Sequence, residues 1–243
     1  MSYKKYIDME NAKVPYNVSK YLEHPNANTP ITFDNKNIIF TDEKFQHEIG
    51  FTKLSNGTYL VAMYVKMPNV TADMINWWFW WYPQENERYQ LCYPGKHFRI
   101  SYSKKDKNYF KQSKMPKFKP NSQYPTEKIG KLIIPISIDF VSPKQFGFSE
   151  KLMNYNNVET AICAHVGIFK GLIQNTKICH IFFKDKDGLL MVSRIWIGEG
   201  FKNSFLKKLT LSDDLAMDMG YHFYVEYTNL SNKIVELYEK YHS

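Results

Sequence analysis

The most regular pattern of apolar and polar positions lies in residues 211–241. Apolar side chains recur there every three or four residues, which is the period of a helix with one buried face. The apolar positions are Leu215, Met219, Phe223, Leu230, Ile234, Leu237 and Tyr241. Ser212 is a favourable N-cap, and Asp213 and Asp214 suit the positive end of a helix dipole. The pattern predicts one long amphipathic helix.

One position on this apolar stripe is acidic. Glu226 lies between Phe223 and Leu230, and His222 precedes it by one helical turn. A buried carboxylate is costly unless it is paired or bound to a metal, and a His and a Glu one turn apart can bind the same ion. The same spacing also arises by chance as a solvent-exposed ion pair. The helix by itself leaves both interpretations open.

Alternating or short apolar runs predict strands through most of the remaining chain. They are Ile31–Phe40, Gln46–Thr52, Thr58–Met67, Arg88–Tyr93, His97–Ser103, Glu127–Phe140, Val158–Lys170, Thr176–Lys184 and Leu189–Ile197. Turn sequences such as Lys186-Asp187-Gly188 indicate hairpins, so we expect a mainly antiparallel sheet and the α+β class. A short helix is predicted over Phe201–Lys208. A curved sheet closed by a long C-terminal helix is a helix-grip architecture, with a cavity between helix and sheet.

A second helix is predicted over Val70–Tyr82. It holds an unusual density of tryptophan, with Trp77, Trp78 and Trp81 on one broad face. Such a face is typical of a bulky core helix, and it is also suited to the wall of a cavity for an aromatic ligand. The pattern does not choose between the two.

Composition narrows the class of protein. Of the 243 residues, 44% are apolar and 16% aromatic, which is enough for a large core. No apolar run reaches 18 residues and no signal-peptide core is evident, so we expect a cytoplasmic protein without a membrane partner. Cys92, Cys163 and Cys179 have no CxxC spacing, which argues against a disulfide scaffold or a zinc ribbon.

The net charge of +8 is concentrated in one segment. Residues 103–119 hold seven Lys and one Asp, with Tyr109, Phe110 and Phe118 between them. A basic, aromatic segment can bind nucleic acid, but this one lacks the Arg that commonly makes specific base contacts. We favour a solvated loop and expect no nucleic-acid partner.

Further candidate ligands are scattered along the chain. His97 follows a Pro-Gly turn, Glu127 begins a predicted strand, and His180 shares an apolar strand face with Ile178 and Phe182. A lone buried His is usually a satisfied core residue, and a Glu at the start of a strand is usually exposed. Spacing alone does not assemble these residues into a site.

Several motifs together resemble the 2,4-diacetylphloroglucinol hydrolase family. They are the Trp-rich run at residues 67–97 with its Tyr-x-Leu-x-x-Pro-x-x-His turn, the hairpin at 180–200 and the His-x-x-x-Glu helix. The resemblance covers roughly residues 45–230. It implies a Bet v 1-like helix-grip domain at 71–243, which binds metal and carries out catalysis, after a smaller β-rich N-terminal region at 1–70.

The resemblance also implies a site. Zinc would be held by His97, Glu127, His222 and Glu226, with His180 in catalysis. Tyr89 matches a cavity tyrosine, and Tyr93 replaces a His found in many members. Tyr93 and the three tryptophans Trp77, Trp78 and Trp81 are expected to complete the substrate pocket.

The implied activity is zinc-dependent hydrolysis of the carbon–carbon bond between an aromatic ring and an acyl group. The substrate would be a small aromatic ketone of the acyl-phloroglucinol kind. The alternative is a non-enzymatic helix-grip protein that binds a hydrophobic aromatic ligand. The sequence does not decide whether the protein forms a homodimer.

Overall fold

A computed structural model of the chain describes residues 3–25, 30–201, 207 and 210–242. Within these ranges no helix is both long enough and apolar enough to cross a membrane. The predicted helix over Phe201–Lys208 falls largely outside the described residues.

Ten strands form two antiparallel sheets. The strands are β1 (Gly50–Lys53), β2 (Tyr59–Pro68), β3 (His97–Arg99), β4 (Asn121–Gln123), β5 (Thr126–Ile129), β6 (Leu132–Pro135), β7 (Ser137–Val141), β8 (Val158–Ile168), β9 (Ile173–Asp185) and β10 (Gly188–Ile197). The large sheet has the order β1-β2-β10-β9-β8-β7-β4, and the small one has the order β3-β5-β6. The predicted α+β class and antiparallel sheet are confirmed.

The helices are mostly short, with one exception. They are α1 (Lys4–Ile7), α2 (Tyr16–Leu22), α3 (Ala72–Trp81), α4 (Asn86–Gln90), α5 (Lys107–Phe110), α6 (Pro143–Phe146), α7 (Glu150–Tyr155) and α8 (Asp213–Tyr241). Helix α8 has 29 residues and begins as predicted, with the Ser212 side chain accepting a hydrogen bond from the Leu215 amide at 3.2 Å.

Helix α8 packs across one face of the large sheet. Its Ala216 and Met219 are buried against Val61 of β2 and Ile195 of β10. Gly220 permits the close approach of α2, since a Cβ there would lie 2.7 Å from the Leu22 side chain. The other face of the sheet is covered by residues 31–48 and 143–153, whose apolar side chains pack around Trp196.

Strands β1 and β2 belong to the large sheet, in which β2 pairs with β10 over its full length. Residues 50–68 therefore share their sheet with the strands that follow residue 136. The division of the chain at residue 70 stays a prediction.

Two predicted strands are wrong. Residues 36–40 form a 3₁₀ helix, because Ile39 and Phe40 are buried as neighbours whereas a strand would turn them to opposite faces. The segment predicted as a strand over Arg88–Tyr93 starts inside helix α4. Its buried positions are Tyr89, Leu91, Cys92 and Tyr93, which do not alternate as those of a half-buried strand would.

Two other segments differ from the prediction. The predicted strand over Glu127–Phe140 is three strands, because Gly130 turns β5 into β6 with a φ of +56° and the chain then leaves the small sheet for β7. In the Lys-rich segment, Tyr109 and Phe110 are buried while Phe118 is exposed. Most of its aromatic surface thus belongs to the core.

Candidate metal centre

Helix α8 presents the first two candidate ligands. His222 and Glu226 lie one turn apart, with His222 Nε2 3.8 Å from Glu226 Oε2. Both face inward from the stripe that packs against the sheet, and His222 is only 3% exposed. The local helical period therefore suffices to bring these two side chains together.

The small sheet supplies the other two. His97 of β3 and Glu127 of β5 are directly opposite each other in the antiparallel register. The turn before β3 depends on Gly95, whose φ of +77° favours glycine, and the His97 amide donates to the Tyr93 carbonyl at 3.0 Å. Both side chains are buried. Strand pairing thus places residues 30 positions apart at one point.

The four side chains converge. His97 Nε2 lies 3.2 Å from His222 Nε2 and 4.0 Å from Glu226 Oε2, and His222 Nε2 lies 3.6 Å from Glu127 Oε2. Four ligands around a zinc ion at about 2.0–2.2 Å would be separated by roughly 3.3–3.5 Å. The donor types and their spacing therefore fit a tetrahedrally bound divalent cation.

Hydrogen bonds orient both imidazoles for this role. His97 Nδ1 lies 3.3 Å from the Tyr89 carbonyl oxygen, and His222 has a hydrogen bond with the backbone of Lys128. Burial lowers the pKa of His97 well below its usual value and that of His222 to about 4. Both rings are neutral at physiological pH, with Nε2 turned toward the carboxylates.

The pKa values of the two carboxylates are raised, whereas those of the histidines are lowered. Burial raises the pKa of Glu127 to about 7, although a hydrogen bond from Tyr89 opposes the shift. Burial, followed by repulsion from Glu127, raises the pKa of Glu226 well above its usual value. Glu127 is buried and the Glu226 side chain is 18% exposed, and the ion-pair partners of both among the described residues are neutral histidines, so the site is electrostatically suited to a metal ion.

A second layer of side chains touches the ligands. The Tyr89 ring stacks on His97 with 4.4 Å between centroids, and Cys92 Sγ lies 3.3 Å from His97 Nδ1 and 3.8 Å from Glu226 Oε1. Tyr93 lies against both histidine rings, 4.9 Å from that of His222. These contacts fix the ring planes of the two histidines.

The cluster opens onto an apolar cavity of about 190 Å³. The cavity lies between the large sheet, the small sheet and the helices α3 and α8. Glu127, Glu226, His180 and Tyr89 all contribute to its lining. Burial lowers the pKa of His180 to about 3, and its Nδ1 has no hydrogen-bond partner among the described residues. A neutral imidazole with a free nitrogen therefore faces the same space as the carboxylates.

The three tryptophans are placed elsewhere. The rings of Trp77 and Trp81 stack at 4.6 Å, Trp77 meets Tyr238 at 5.3 Å and Trp81 meets Tyr241 at 5.5 Å. Trp78 is likewise buried in the core. None of the three lines the cavity described above, and neither does Tyr93. The tryptophans join α3 to the end of α8, which is the core-helix alternative of the sequence.

Sequence reasoning missed five aromatic residues of the cavity: Phe79, Tyr82, Phe140, Phe223 and Tyr227. The Tyr227 ring lies 4.5 Å from that of His180, and Tyr82 donates to Gln123 at 2.7 Å. Phe223 and Tyr227 carried a signal, because each adjoins a predicted ligand on α8. Phe79 and Tyr82 carried none, because the whole of α3 is aromatic.

Comparison with known proteins finds relatives of this chain. The family model described as the DAPG hydrolase PhiG domain matches residues 31–239. The phloretin hydrolase of Eubacterium ramulus is 27% identical over 253 residues, covering 98% of this chain and 89% of its own. A 2,4-diacetylphloroglucinol hydrolase of Pseudomonas protegens is 24% identical over 224 residues, covering 84% and 72%. A solved Staphylococcus aureus protein of unknown function covers 75% of this chain at a TM-score of 0.43 and 8% identity, too distant to carry an argument.

Proposed function

Because this chain belongs to the DAPG hydrolase family, we propose that it hydrolyses the carbon–carbon bond between an aromatic ring and an acyl group. The substrate is an acyl-phloroglucinol-like ketone. The cofactor is a zinc ion held by His97, Glu127, His222 and Glu226. The sequence relatives support the reaction class, and the structure supports the choice of ligands.

One observation carries the proposal. Two neutral imidazoles and two carboxylates meet at the wall of an apolar cavity: His97 Nε2 and His222 Nε2 lie 3.2 Å apart, and each carboxylate has an oxygen within 4.0 Å of one of these nitrogens. When bound there, zinc supplies Lewis-acid chemistry, which polarises a carbonyl and lowers the pKa of water. Mixed nitrogen and oxygen ligands at tetrahedral spacing favour zinc over calcium or magnesium, which prefer all-oxygen sites.

His180 is our candidate for the proton transfers. The net reaction adds water: the acyl carbon gains a hydroxyl, the ring carbon gains a proton, and the bond between them breaks. A neutral imidazole can accept the proton of the attacking water and return it to the ring carbon. Since burial lowers the pKa of His180 to about 3, its imidazole is neutral and holds a free nitrogen lone pair at neutral pH.

The cavity suits an aromatic ketone. Its walls are mainly aliphatic and aromatic, and the hydroxyls of Tyr89, Tyr82 and Tyr227 are the polar groups that could orient ring hydroxyls. Tyr89 already donates to Glu127, so a substrate that bonds to Tyr89 would be tied to a metal ligand. We assign Tyr93, Trp77, Trp78 and Trp81 an indirect role, through packing behind the ligands and α8.

We also propose that the architecture is a Bet v 1-like helix grip. The support is that α8 crosses the face of an antiparallel sheet and leaves a cavity beneath it. In such a fold the helix closes the core and carries ligands at the same time.

The test combines metal analysis with turnover. Purified protein should contain about one zinc per chain, and it should convert an acyl-phloroglucinol to the arene and the acid. His222→Ala should lose both the metal and turnover, while His47→Ala, a change at an exposed histidine, should lose neither. His180→Gln should keep the metal and lose about 10²-fold or more in kcat.

Two results would contradict the proposal. Protein that binds no zinc and is unaffected by His222→Ala would exclude the metal centre. Protein that binds zinc and ketones tightly without cleaving them would favour the non-enzymatic binding protein.

A further inference from the structure

A second pocket of about 390 Å³ adjoins the metal-side cavity. It lies between α3, β8 and the end of the Lys-rich segment, and it opens at the surface beside Met115 and Phe118. We call it the outer pocket. Phe118 is 47% exposed and Met115 is 38% exposed, so two apolar side chains border the opening.

Three side chains line both spaces and therefore stand between them: Phe79, Phe140 and Ile162. Phe79 and Phe140 meet edge to face with 5.6 Å between centroids. Phe79 is only partly buried, unlike its neighbours Trp78 and Trp80 on α3. One half-buried aromatic ring on a helix thus forms much of the partition.

The partition lies at the catalytic end of the inner cavity. Ile162 is directly opposite His180 in the register of β8 and β9. Tyr82, which lines the inner cavity, donates a hydrogen bond to Gln123, which lines the outer pocket. A group that extends from a ketone held near His180 therefore meets Phe79 and, beyond it, the outer pocket.

The lining of the outer pocket defines what it can hold. Trp80, Phe118, Met153 and Ala161 give it apolar walls, and its polar side chains include Asn76 and Thr160, which bond to each other at 2.9 Å. No Asp, Glu or Arg is among the lining residues, and Lys117 lies exposed at the opening. The chemistry fits an uncharged alkyl or aryl group better than a polyhydroxylated ring.

We propose that the outer pocket is a subsite for a long apolar acyl arm of the ketone, with Phe79 as the movable partition. This inference rests on the proposed function for the identity of the ligand. It extends that function by assigning the outer pocket to the acyl end of the ketone, away from the metal ligands. The partition lets a short acyl group remain in the inner cavity and a longer one displace the Phe79 ring.

The test is a binding series that does not depend on turnover. Trihydroxyphenyl ketones with acetyl, butanoyl, hexanoyl and octanoyl groups are titrated into the zinc-loaded His180→Gln protein by calorimetry. Affinity should rise roughly two- to fourfold for each methylene that enters the outer pocket, the increment of a buried CH₂ group.

Phe118→Asp places a charge at the outer pocket without disturbing the core, because Phe118 is exposed. It should weaken binding of the octanoyl ketone by about tenfold or more and leave that of the acetyl ketone unchanged. Tyr16→Asp is the matched control: Tyr16 is an exposed aromatic residue that lines neither space. It should affect neither ketone. Phe79→Leu should favour the longer arms by shrinking the partition.

The outcomes separate the two proposals. An affinity that does not depend on chain length, or an equal effect of Phe118→Asp and Tyr16→Asp, overturns the subsite. Length-dependent binding that Phe118→Asp removes establishes the subsite even if wild-type protein cleaves no ketone, a result that would count against the proposed reaction alone.

Discussion

Ionisable side chains inside this molecule are neutralised in different ways around Arg194 and around the pair Glu127 and Glu226. Arg194 of β10 is fully buried, yet its guanidinium donates to the carbonyls of Ser193 and Phe45 and lies 3.4 Å from Glu48. Burial raises the pKa of Glu48, and Arg194 opposes that shift. Here the protein supplies its own counter-charge.

The cluster around Glu226 has no such counter-charge. Among the described residues, the ion-pair partners of Glu127 and Glu226 are histidines, and burial keeps both histidines neutral. The comparison teaches that burial of charge alone does not indicate function. What distinguishes the second cluster is that its two carboxylates meet no cationic side chain among the described residues, so that bound protons or an external cation must neutralise them.

The largest expected effect concerns the self-neutralised group. Arg194→Ala should lower the free energy of unfolding by about 3–5 kcal/mol, because it leaves Glu48 and two carbonyls without their partner. Urea denaturation of the metal-free protein measures the change. The control is Lys144→Ala, whose surface pair with Glu150 spans 3.9 Å and should be worth less than about 1 kcal/mol. If both variants lose a similar free energy of unfolding, the buried pair is worth no more than the surface pair and the prediction is wrong.

The pH dependence of metal-free stability sharpens the comparison. The folded pKa of Glu127, about 7, exceeds its ordinary value of 4.5, so the folded state holds a proton more tightly than the unfolded chain. Stability should therefore be lost as pH rises from about 4.5 to 7, by roughly 2–3 kcal/mol from this residue. Glu127→Gln should remove that part of the slope.

His97 and His222 change the stability with the opposite sign, because burial lowers their pKa values. The free energy of unfolding that they contribute is lost as the pH falls. Comparing wild type with Glu127→Gln at each pH cancels that contribution. If stability changes with pH equally in the two proteins, Glu127 ionises normally and the prediction is wrong. Saturating zinc should make the difference in stability between the two proteins less dependent on pH, because the ion occupies the site.

Glu226→Gln should change stability and metal binding in opposite directions. Without metal at pH 8, removing one of two adjacent buried carboxylates should raise the free energy of unfolding by about 1–2 kcal/mol. The same variant should bind zinc more weakly. Thermal unfolding with and without zinc measures both effects. A variant destabilised in the absence of metal would mean that Glu226 is already neutralised by the protein.

The smallest expected effect concerns Cys92. Its thiol contacts both His97 and Glu226, so Cys92→Ala should loosen two ligands and weaken zinc affinity by about tenfold, the lower end for residues behind metal ligands. Competition with a chelator measures it. Cys163→Ala, at a buried cysteine on the other side of the sheet, is the matched control and should leave zinc affinity unchanged.

Prediction from sequence succeeded where the determining interactions are local. The helix period placed His222 beside Glu226, and alternation with a turn sequence located β2, β8, β9 and β10. It failed at residues 36–40 and 88–93, where short apolar runs fit either a strand or a helical turn. In such runs the surrounding core, rather than propensity, selects the conformation.

The candidate site divides in the same way. The family resemblance supplied the quartet of ligands, but residue patterns alone linked only His222 and Glu226. His97 and Glu127 meet because β3 and β5 pair in one register, and they reach α8 because the small sheet lies over it. The tryptophans lie in the core and not at the cavity, since Trp77 packs on Tyr238 and Trp81 stacks on Tyr241.

The sequence by itself determined the amphipathic helix, its inward-facing acid and the antiparallel strands, because each depends on side chains a few positions apart. Only the tertiary structure decided which histidine and which glutamate complete the cluster, and that Phe79 rather than the tryptophans borders the cavity. Those outcomes depend on the pairing of distant segments and on how large rings share a limited volume, which no local period encodes.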